Sequence, residues 1–378
     1  MNNDLKQILP EIINIRRTIH ENPELSYSEY KTTELIKNTL TKWGLEFHSF
    51  KNLGTGGYCD IGNGHILAFR SDIDALPINE NPCHEFCSKN SGIMHACGHD
   101  YHTAIGLGLL KYFVNHQSEL NRKLRVIFQP AEEADPGGAK IVAEEKIWDN
   151  VKGIFTVHVD SELDIGKISV INGTSSASST VINVELNGPG GHTSRPHETV
   201  DLIHVTSEFT IQVLKCLREY IDPRDSFVLA FGQIHGGDYH NVIPQTVTLR
   251  GTLRTFNNSI LEKALKLIKH FATCFSKTYG LIIDIKFPNT TPGVVNDNKI
   301  YQSFVEYMSK VKNESDLVIL QKPSMGADDF SFYLNKVPGL YLHIGGGGTG
   351  VAHSGDFNLN ENLLEPALNH LVGFFRII

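Results

Sequence analysis

Residues 124–133 read Leu-Arg-Val-Ile-Phe-Gln-Pro-Ala-Glu-Glu, an apolar run that passes directly into a proline and two carboxylates. An apolar run of this length, bounded by charge, is typical of a strand buried on both faces of a parallel sheet. A second such run lies at 154–159, and a further strand candidate lies at 65–70. Segments with helical periodicity separate these runs, so the sequence predicts an α/β domain with helices on both faces of its sheet.

The pattern changes after about residue 173. Apolar and polar residues alternate over 182–187, which indicates a half-exposed strand. The elements that follow complete the order strand, helix, strand, strand, helix, strand, which is the βαββαβ arrangement of a ferredoxin-like α+β unit. We therefore predict a smaller domain, residues 178–290, inserted into a larger domain formed by residues 1–177 and 291–378.

The composition of the 378 residues is that of a folded protein. Hydrophobic residues make up 40% of the chain and charged residues 20%, and 34 Lys and Arg against 42 Asp and Glu leave a net charge of −8. The length exceeds that of one usual domain, so two domains are expected. The negative balance disfavours a nucleic-acid partner, because phosphate binding needs a basic surface.

Targeting and redox signals are sparse. Charged residues interrupt the apolar positions of the first 20 residues, and no segment approaches the roughly 18 apolar residues of a membrane span. Six cysteines are too few for a disulfide framework. We expect a cytoplasmic protein with no membrane partner.

The densest group among the 18 histidines lies at residues 94–102, Met-His-Ala-Cys-Gly-His-Asp-Tyr-His. Cys97 and His99 are two residues apart in an expected loop, a spacing that lets both side chains reach one metal ion. A lone buried cysteine is usually an ordinary core residue, but the neighbouring imidazole favours metal ligation. Asp100 is available to orient an imidazole or to cap the helix that follows.

Further candidate ligands follow the predicted buried strands. Glu132 and Glu133 come directly after the strand at 124–128, at the sheet edge where α/β proteins bind ligands, although such a pair in isolation is equally typical of a solvated loop. Adjacent carboxylates can divide their roles, one binding metal and the other serving as general base. His158 ends the next buried strand, where a single histidine is more often a core residue, and His353 lies in a glycine-rich loop.

Five candidate metal ligands thus fall on loops or strand ends of one predicted sheet: Cys97, His99, Glu133, His158 and His353. Five ligands exceed the three protein ligands of a catalytic zinc, so two metal ions a few Å apart fit the set better. Cysteine and histidine favour zinc, whereas carboxylate admits manganese and cobalt. We expect two divalent ions per subunit, zinc or manganese first, cobalt or nickel second.

Other cofactor and nucleophile motifs do not support a different chemistry. The glycine-rich loop contains a G-x-G-x-x-G pattern over 345–350, but no apolar-periodic helix opens there, which argues against a dinucleotide site. The sequence contains neither G-x-S-x-G nor G-x-x-x-x-G-K-[ST], which weakens a serine hydrolase or P-loop interpretation.

Two glycine-rich segments of the predicted insertion carry histidine or asparagine. Residues 188–197 follow its first strand, and 235–237 and 241–244 follow another. Glycine lets a backbone approach a ligand closely, so these segments predict a ligand-facing rim. Turn formation alone accounts for the glycines and prolines but not for His192.

Together these motifs resemble the M20 family of metallopeptidases, and within it the amidohydrolase branch whose members hydrolyse N-acyl amino acids, hippurate, auxin conjugates or N-acetyldiaminopimelate. The resemblance runs nearly end to end and rests on residues 17–25, 70–77, 94–102, 129–133, 158, 190–197, 241–244, 250–254, 326–330 and 353. It implies a metal-binding α/β domain interrupted by a smaller α+β dimerisation domain.

The resemblance also implies roles for individual residues. The metal ligands of a two-metal site would be Cys97, His99, Glu133, His158 and His353. Glu132 would be the general base, and His192 would stabilise the oxyanion, reaching across from the partner subunit of a homodimer. Asn241 would help to bind the substrate carboxylate, while Asp72, Asp74 and Asp100 would support the ligands from behind.

Two positions depart from the family pattern. The chain has Asp328-Asp329 where relatives commonly have Glu-Asp, which places the role of the shorter side chain in question. The loop 134–138 is one residue longer than in many relatives, which can alter the pocket wall.

The sequence therefore predicts a metal-dependent amidohydrolase that cleaves the amide of a small-molecule N-acyl amino acid, with Glu132 as general base for a water activated by the metal. A dipeptidase of the same fold and a non-catalytic metal-dependent binding protein are the alternatives. Metal-dependent release of acetate from N-acetyl amino acids separates all three.

Overall fold

The computed structural model describes residues 3–81, 85–310 and 316–378. It contains two compact units. Unit 1 comprises residues 1–175, 294–323 and 328–378, and unit 2 comprises residues 176–293 and 324–327. The predicted insertion, 178–290, falls within unit 2, whereas the inclusion of 324–327 was not expected from the sequence.

Helices and strands alternate along most of the chain. The helices are α1 (Asn3–Glu21), α2 (Tyr30–Lys42), α3 (His99–Asn115), α4 (Gly138–Val142), α5 (Leu202–Tyr220), α6 (Asn258–Tyr279), α7 (Asn298–Lys310), α8 (Ser331–Leu334) and α9 (Leu364–Ile377). The strands are β1 (Phe47–Ser49), β2 (Gly57–Ile61), β3 (Ile66–Asp72), β4 (Lys123–Gln129), β5 (Val151–Asp160), β6 (Ile168–Val170), β7 (Gly173–Thr174), β8 (Ser178–Asn187), β9 (Gly191–His192), β10 (Phe227–His235), β11 (Val242–Ile243), β12 (Thr246–Thr255), β13 (Ile282–Lys286), β14 (Thr290–Thr291), β15 (Val295–Asn296), β16 (Leu317–Ile319) and β17 (Gly339–Gly345). The sequence did not predict the short strands β2, β6 and β16.

Unit 1 is built on a sheet with the strand order β1-β2-β4-β3-β5-β17-β6-β16. Its four central strands, β4, β3, β5 and β17, are parallel to one another. Their carboxyl ends therefore lie at the same edge of the sheet, which is where open α/β sheets bind ligands.

The central strands are buried on both faces. All seven residues of β3 are buried, and successive side chains point to opposite faces. Leu67 and Phe69 pack into a core with residues of α1, α3 and α9, whereas Ile66 and Ala68 pack into a second core with residues of α4 and α8. The predicted α/β domain with helices on both faces is thus confirmed.

The start of α3 differs from the sequence prediction, which placed both Cys97 and His99 in a loop before the helix. The helix begins at His99 and follows Gly98, which has φ +80° and no side-chain cap. A Cβ at Gly98 would lie 2.3 Å from Val159 Cγ2, so the backbone passes closer to β5 than another residue would permit. As a result His99 lies on the first turn of a buried helix and not in a loop.

Unit 2 has the βαββαβ element order predicted from the sequence. Its main strands are antiparallel and lie in the order β10-β12-β8-β13. Alternate residues of β8, Ile182, Val184 and Leu186, pack into one core with apolar residues of α5 and α6. None of the helices within the described ranges is both long and apolar enough to cross a membrane.

Candidate active site

The five predicted metal ligands meet at the carboxyl edge of the unit 1 sheet. Glu133 follows β4, His158 lies near the end of β5, and His353 lies in the loop after β17. Cys97 precedes α3 and His99 begins it. The His353 backbone N–H donates to the carbonyl of Ala96, 2.8 Å away, which ties the late loop to the segment that carries Cys97.

Two triads of potential ligands share one residue. Cys97, His99 and His158 form one triad, and Cys97, Glu133 and His353 form the other, with one ligand atom per residue lying within 4.8 Å of the others in its triad. Cys97 Sγ is 3.4 Å from His158 Nε2, and His353 Nε2 is 3.2 Å from Glu133 Oε1. Because Cys97 belongs to both triads, the arrangement suits two adjacent metal ions with a shared thiolate.

The imidazoles of His99 and His158 are oriented as metal ligands. His99 Nδ1 donates to the backbone carbonyl of Asp74 at 2.9 Å, and His158 Nδ1 donates to the carbonyl of Val159 at 2.8 Å. This leaves Nε2 of each ring as the atom that faces the site. His99 Nε2 is buried without a hydrogen-bond partner among the described residues, which is costly unless a cation satisfies it. The donor set therefore fits a metal ion.

The electrostatics of the site favour a thiolate. Burial raises the pKa of the Cys97 thiol, but the charge and hydrogen bond of His158 and the adjacent imidazoles outweigh it and hold that pKa well below its usual range. In turn, although burial lowers the pKa of His158, Cys97 raises it to about 9. The hydrogen bond with Cys97 also raises the pKa of His353 to about 10. A thiolate is the form of cysteine that binds metal.

His102 is not a metal ligand, although it lies within ligand distance of Asp72 and His99. Its Nε2 accepts the backbone N–H of Val159 at 2.9 Å, and its Nδ1 donates to Asp72 Oδ1 at 2.6 Å. Both ring nitrogens are therefore used within the protein. Asp72 Oδ2 lies 3.6 Å from His99 Nε2, so His102 orients a carboxylate beside the site-facing nitrogen of this ligand.

Asp74 fixes the turn that carries both glutamates. Its two carboxylate oxygens accept the backbone N–H groups of Glu132 and Glu133, each at 3.0 Å, and Oδ2 also accepts the Ser26 hydroxyl at 2.6 Å. Glu29, at the start of α2, accepts the N–H of the preceding Ala131 at 2.8 Å. Asp74 is therefore placed to support the site in two ways. Its carboxylate binds the backbone of Glu132 and Glu133, and its backbone carbonyl accepts the proton of His99 Nδ1.

Glu132 lies in an acidic cluster with Asp328 and Asp329. Burial raises the pKa of Glu132 well above its usual range, and the charges of Asp328, Glu133 and Asp329 raise it further. Glu132 Oε2 lies 4.0 Å from His99 Nε2, beside the ligand triads.

The fully buried guanidinium of Arg70 lies beside this cluster. It donates to Asp72, to Asp328 at 3.1 Å and to Asp329 at 2.9 Å, and its Nε donates to Gln129 at 2.8 Å. Asp328 also accepts the backbone N–H of Phe330, so the shorter side chain at position 328 is held by Arg70 and by its own turn. Arg70 thus links Asp72, beside His99, to Asp328 and Asp329, beside Glu132.

Asp100 lies away from the ligand triads. Its carboxylate accepts from Arg16 Nε at 2.7 Å and lies 2.9 Å from His20 Nδ1, both on α1. Of the two roles that the sequence allows for Asp100, capping the helix is not realised, because Asp100 lies inside the first turn of α3, which has no side-chain cap. It orients the imidazole of His20 and fixes the first turn of α3, one residue from His99.

Three non-glycine residues around the site have left-handed backbone conformations: Tyr27 at φ 65°, Ala131 at φ 56° and His353 at φ 65°. Such conformations cost about 1–3 kcal/mol each and persist only where surrounding contacts enforce them. Here Ala131 directly precedes Glu132, and His353 is itself a candidate ligand. Left-handed backbone thus occurs at one candidate ligand and directly before the candidate base.

Unit 2 brings His192 and Asn241 together on a short antiparallel ribbon formed by β9 and β11. His192 is paired with Val242, and the Thr193 N–H donates to the carbonyl of Asn241 at 3.3 Å. His192 is exposed, and its Nδ1 accepts from the N–H and the hydroxyl of Ser194. Both residues predicted to contact substrate from the insertion thus lie on one structural element.

Sequence reasoning missed the residues that organise the carboxylates, above all Arg70 and Gln129. Gln129 donates to Asp329 and accepts from Tyr333, so it bridges β4 and the segment before α8. One signal was available, since Arg70 follows the apolar residues 66–69 within a buried strand, and a buried charge requires partners. Two of those partners, Asp328 and Asp329, are more than 250 positions away in sequence and are visible only in the fold.

Known proteins resemble this chain over nearly its whole length. A family model described as peptidase family M20/M25/M40 matches residues 68–376. Thermostable carboxypeptidase 2 of Saccharolobus solfataricus is 35% identical, with 98% of this chain and 96% of the relative covered. N-acetyl-L-cysteine deacetylase of Bacillus subtilis is 33% identical, with 96% of this chain and 87% of the relative covered.

A solved structure gives the same result. The crystal structure of a dinuclear metal-binding peptidase of the M20 family from Bacillus subtilis matches with a TM-score of 0.83 at 32% identity, with 98% of each chain covered. Family match, relatives and site geometry agree: the chain belongs to peptidase family M20/M25/M40 and is a hydrolase of amide bonds.

Proposed function

We propose that this protein is a metal-dependent amidohydrolase that cleaves an N-acyl amino acid into a free amino acid and a carboxylate. The observation that carries the proposal is the pair of ligand triads sharing Cys97, with Glu132 4.0 Å from the unpartnered nitrogen of His99. This combination supplies metal ligands and a candidate base at one point of the sheet edge. The deacetylase relative supports the substrate class.

Each triad would hold one divalent ion. Cys97, His99 and His158 would hold the first, and Cys97, Glu133 and His353 would hold the second. Cysteine and histidine favour zinc, while the carboxylate also admits manganese, cobalt or nickel. Ions held there supply Lewis acidity, which polarises an amide carbonyl and makes water acidic enough to react near neutral pH.

Glu132 is the general base. It takes a proton from the attacking water and returns that proton to the leaving nitrogen. Burial and the charges of Asp328 and Glu133 raise the pKa of Glu132, which makes it a stronger base than a solvent-exposed carboxylate. Asp74 holds the backbone of Glu132, so the carboxylate starts from a fixed position.

His192 and Asn241 act on the substrate from the ribbon of unit 2. His192 donates a hydrogen bond to the oxyanion that develops on the amide carbonyl, and Asn241 binds the carboxylate of the amino acid. The resemblance to the family implies that these residues serve the partner subunit of a homodimer.

The surface of unit 2 supports a homodimer. β10 is an edge strand of the unit 2 sheet, and an edge strand can pair with the edge strand of a second copy. Exposed apolar side chains lie along β10 and α5: Ile203, Ile211, Tyr220, Val228 and Ile234. Light scattering in solution should give twice the chain mass of 42.1 kDa; a monomer at assay concentration would contradict the proposal.

We place the protein in the cytoplasm, because six cysteines in 378 residues are too few for a disulfide framework. Fractionation of cells should recover the activity with cytoplasmic markers; recovery outside the membrane would contradict this placement.

A peptidase acting on peptides with a free carboxyl end is the second candidate. The relative named thermostable carboxypeptidase 2 favours it. The two substrate classes share an amide next to an amino-acid carboxylate and differ on the acyl side, where a dipeptide carries an ammonium group. The same base, ligands and oxyanion donor would serve either reaction.

One panel separates the candidates. The enzyme, stripped of metal and reloaded with zinc, manganese, cobalt or nickel, is assayed on N-acetyl, N-benzoyl and long-acyl amino acids and on dipeptides with the same carboxyl-terminal residue. We expect metal-dependent release of the carboxylate, faster than hydrolysis of the matched dipeptide. Cleavage of dipeptides alone would support the peptidase, and two bound ions without any turnover would support a binding protein.

A further inference from the structure

Ser194 contacts the ring of His192 twice. Its backbone N–H lies 3.1 Å from His192 Nδ1, and its hydroxyl oxygen lies 2.8 Å from the same nitrogen. The two residues are separated by Thr193 alone, and the Arg195 N–H donates to the His192 carbonyl at 2.9 Å, which closes the turn. The ring is thus held by the turn that begins at His192 itself.

The contact from the Ser194 backbone N–H determines which nitrogen of the His192 ring carries the proton. A backbone N–H can only donate, so His192 Nδ1 must present a lone pair. A neutral imidazole carries its single proton on the other nitrogen, and therefore the proton of His192 is on Nε2. The hydroxyl of Ser194 donates to the same lone pair and strengthens this tautomer.

The opposite tautomer occurs in unit 1. There the Val159 N–H donates to His102 Nε2, so His102 carries its proton on Nδ1 and donates to Asp72. A backbone N–H selects the tautomer in both places, and in each the remaining nitrogen becomes a donor. For His102 that donor is used within the protein, whereas His192 is exposed and directs its donor outward.

We propose that Ser194 is a positioning residue that locks His192 in the Nε2–H tautomer, so that a neutral imidazole donates a hydrogen bond to the oxyanion. This inference rests on the proposed function of His192. A donor already oriented before the reaction needs no rearrangement as negative charge develops, which is the general basis of oxyanion stabilisation. Ser194 itself does not touch the substrate.

The tautomer can be read directly in the full-length protein labelled with 15N-histidine. Long-range proton–nitrogen correlation separates a protonated ring nitrogen from an unprotonated one, and the His192→Ala variant assigns the His192 signals. We expect Nε2 protonated and Nδ1 unprotonated in the wild type. A His192 ring protonated on Nδ1 alone would overturn the inference.

Variants of Ser194 then test the positioning role. Ser194→Ala keeps the backbone N–H, so the Nε2–H tautomer should persist, but it removes the hydroxyl that also holds the ring. It should therefore lower kcat about 3- to 10-fold with little change in KM. Ser194→Thr keeps the hydroxyl and should restore kcat. Thr273→Ala, the matched control, removes an exposed hydroxyl that donates to the Lys269 carbonyl on α6 of unit 2, and it should behave as wild type.

An unchanged kcat in Ser194→Ala would overturn the positioning role. The His192→Ala variant separates this failure from that of the proposed function. If His192→Ala retains full turnover, the oxyanion role is wrong even where the wild-type ring shows the expected tautomer. If His192→Ala loses turnover but Ser194→Ala changes nothing, only the inference about Ser194 fails.

Discussion

The metal-facing edge of unit 1 and the ribbon of unit 2 use histidine in contrasting ways. In unit 1, His99 is buried, and its Nδ1 is bound to a backbone carbonyl from another loop, which leaves Nε2 for a cation. In unit 2, His192 is exposed and held only by its own turn and by pairing with Val242. Contacts between buried residues from distant segments build the first site. A turn and a two-stranded ribbon at the surface build the second.

This contrast has a consequence for mutagenesis. A side chain in the unit 1 network supports both the fold and the site, because its partners come from distant segments. A side chain in the ribbon supports the site alone. Changes in unit 1 should therefore alter stability together with metal binding, and changes in the ribbon should alter turnover with stability unaffected.

The largest effect is expected on turnover when the base is removed. Glu132→Gln should lower kcat by about 10²- to 10⁴-fold, since the amide cannot accept the proton of water. Metal content, measured by mass spectrometry of the purified protein, should stay as in wild type, because Glu132 belongs to neither shared triad. Glu144→Gln, at a surface pair with Lys336, is the matched control. Wild-type turnover in Glu132→Gln would refute the assignment of the base.

Breaking the buried charge network should cost folding stability. Arg70→Met leaves Asp72, Asp328 and Asp329 without their shared cation, and loss of one partner of a buried pair costs about 3–5 kcal/mol. Chemical denaturation should show that loss in the free energy of unfolding, together with weaker metal binding.

Arg224→Met is the counterpart in unit 2, where Arg224 pairs with Asp222 at the surface. We expect no measurable change in the free energy of unfolding, because solvent screens exposed pairs. Equal destabilisation by the two arginine variants would remove the contrast between the regions.

Acid should weaken unit 1 through Asp100. Burial raises the pKa of Asp100, but the charges of Arg16 and His20 outweigh it and hold that pKa below its usual range. A carboxylate with a depressed pKa adds stability that is complete above about pH 4, its unfolded value, and is lost as the pH falls further. The melting temperature of the wild type should therefore fall below about pH 4.

Asp100→Asn should melt at a lower temperature than wild type at pH 7 and show a shallower fall in acid, because the asparagine does not titrate. Asp222→Asn, at the exposed pair of unit 2, should follow the wild-type curve more closely. Calorimetry from pH 7 to pH 2 provides both curves. Parallel curves for wild type and Asp100→Asn would argue against the ionic role of Asp100.

The smallest effect concerns a single hydrogen bond. The Tyr27 hydroxyl donates to the carbonyl of Pro136 at 2.6 Å, in the loop that follows Glu133. Tyr27→Phe should lower the free energy of unfolding by about 0.5–1.5 kcal/mol. Tyr239→Phe, 73% exposed in unit 2, should change nothing measurable. A larger fall in the free energy of unfolding for Tyr239→Phe than for Tyr27→Phe would reverse the expected difference between unit 2 and unit 1.

Local patterns predicted the longer strands, in which one face or two faces are buried. Burial on both faces produces the apolar runs of β4 and β5, and burial on one face produces the alternation in β8. Both patterns are visible in the order of apolar and polar residues. The start of α3 was misplaced because Gly98 begins the helix without a capping side chain, so no local signal marks it. Its position depends on close packing against Val159.

The site was predictable to the extent that parallel strands bring their ends together. That rule gathers Glu133, His158 and His353, although it does not show that Cys97 is common to two triads. It also gives no means of separating His99 from His102, two neighbouring histidines with opposite uses. Their roles depend on which backbone groups reach which ring nitrogen, and only the fold determines those contacts.

The central claim is that Cys97 is shared by two metal ions. Anomalous difference maps from crystals grown with zinc test it most directly. We predict two peaks per chain, both at about 2.3 Å from Cys97 Sγ, one also bound by His99 and His158 and the other by Glu133 and His353. A single peak, or two peaks of which one lies away from Cys97, would contradict the claim.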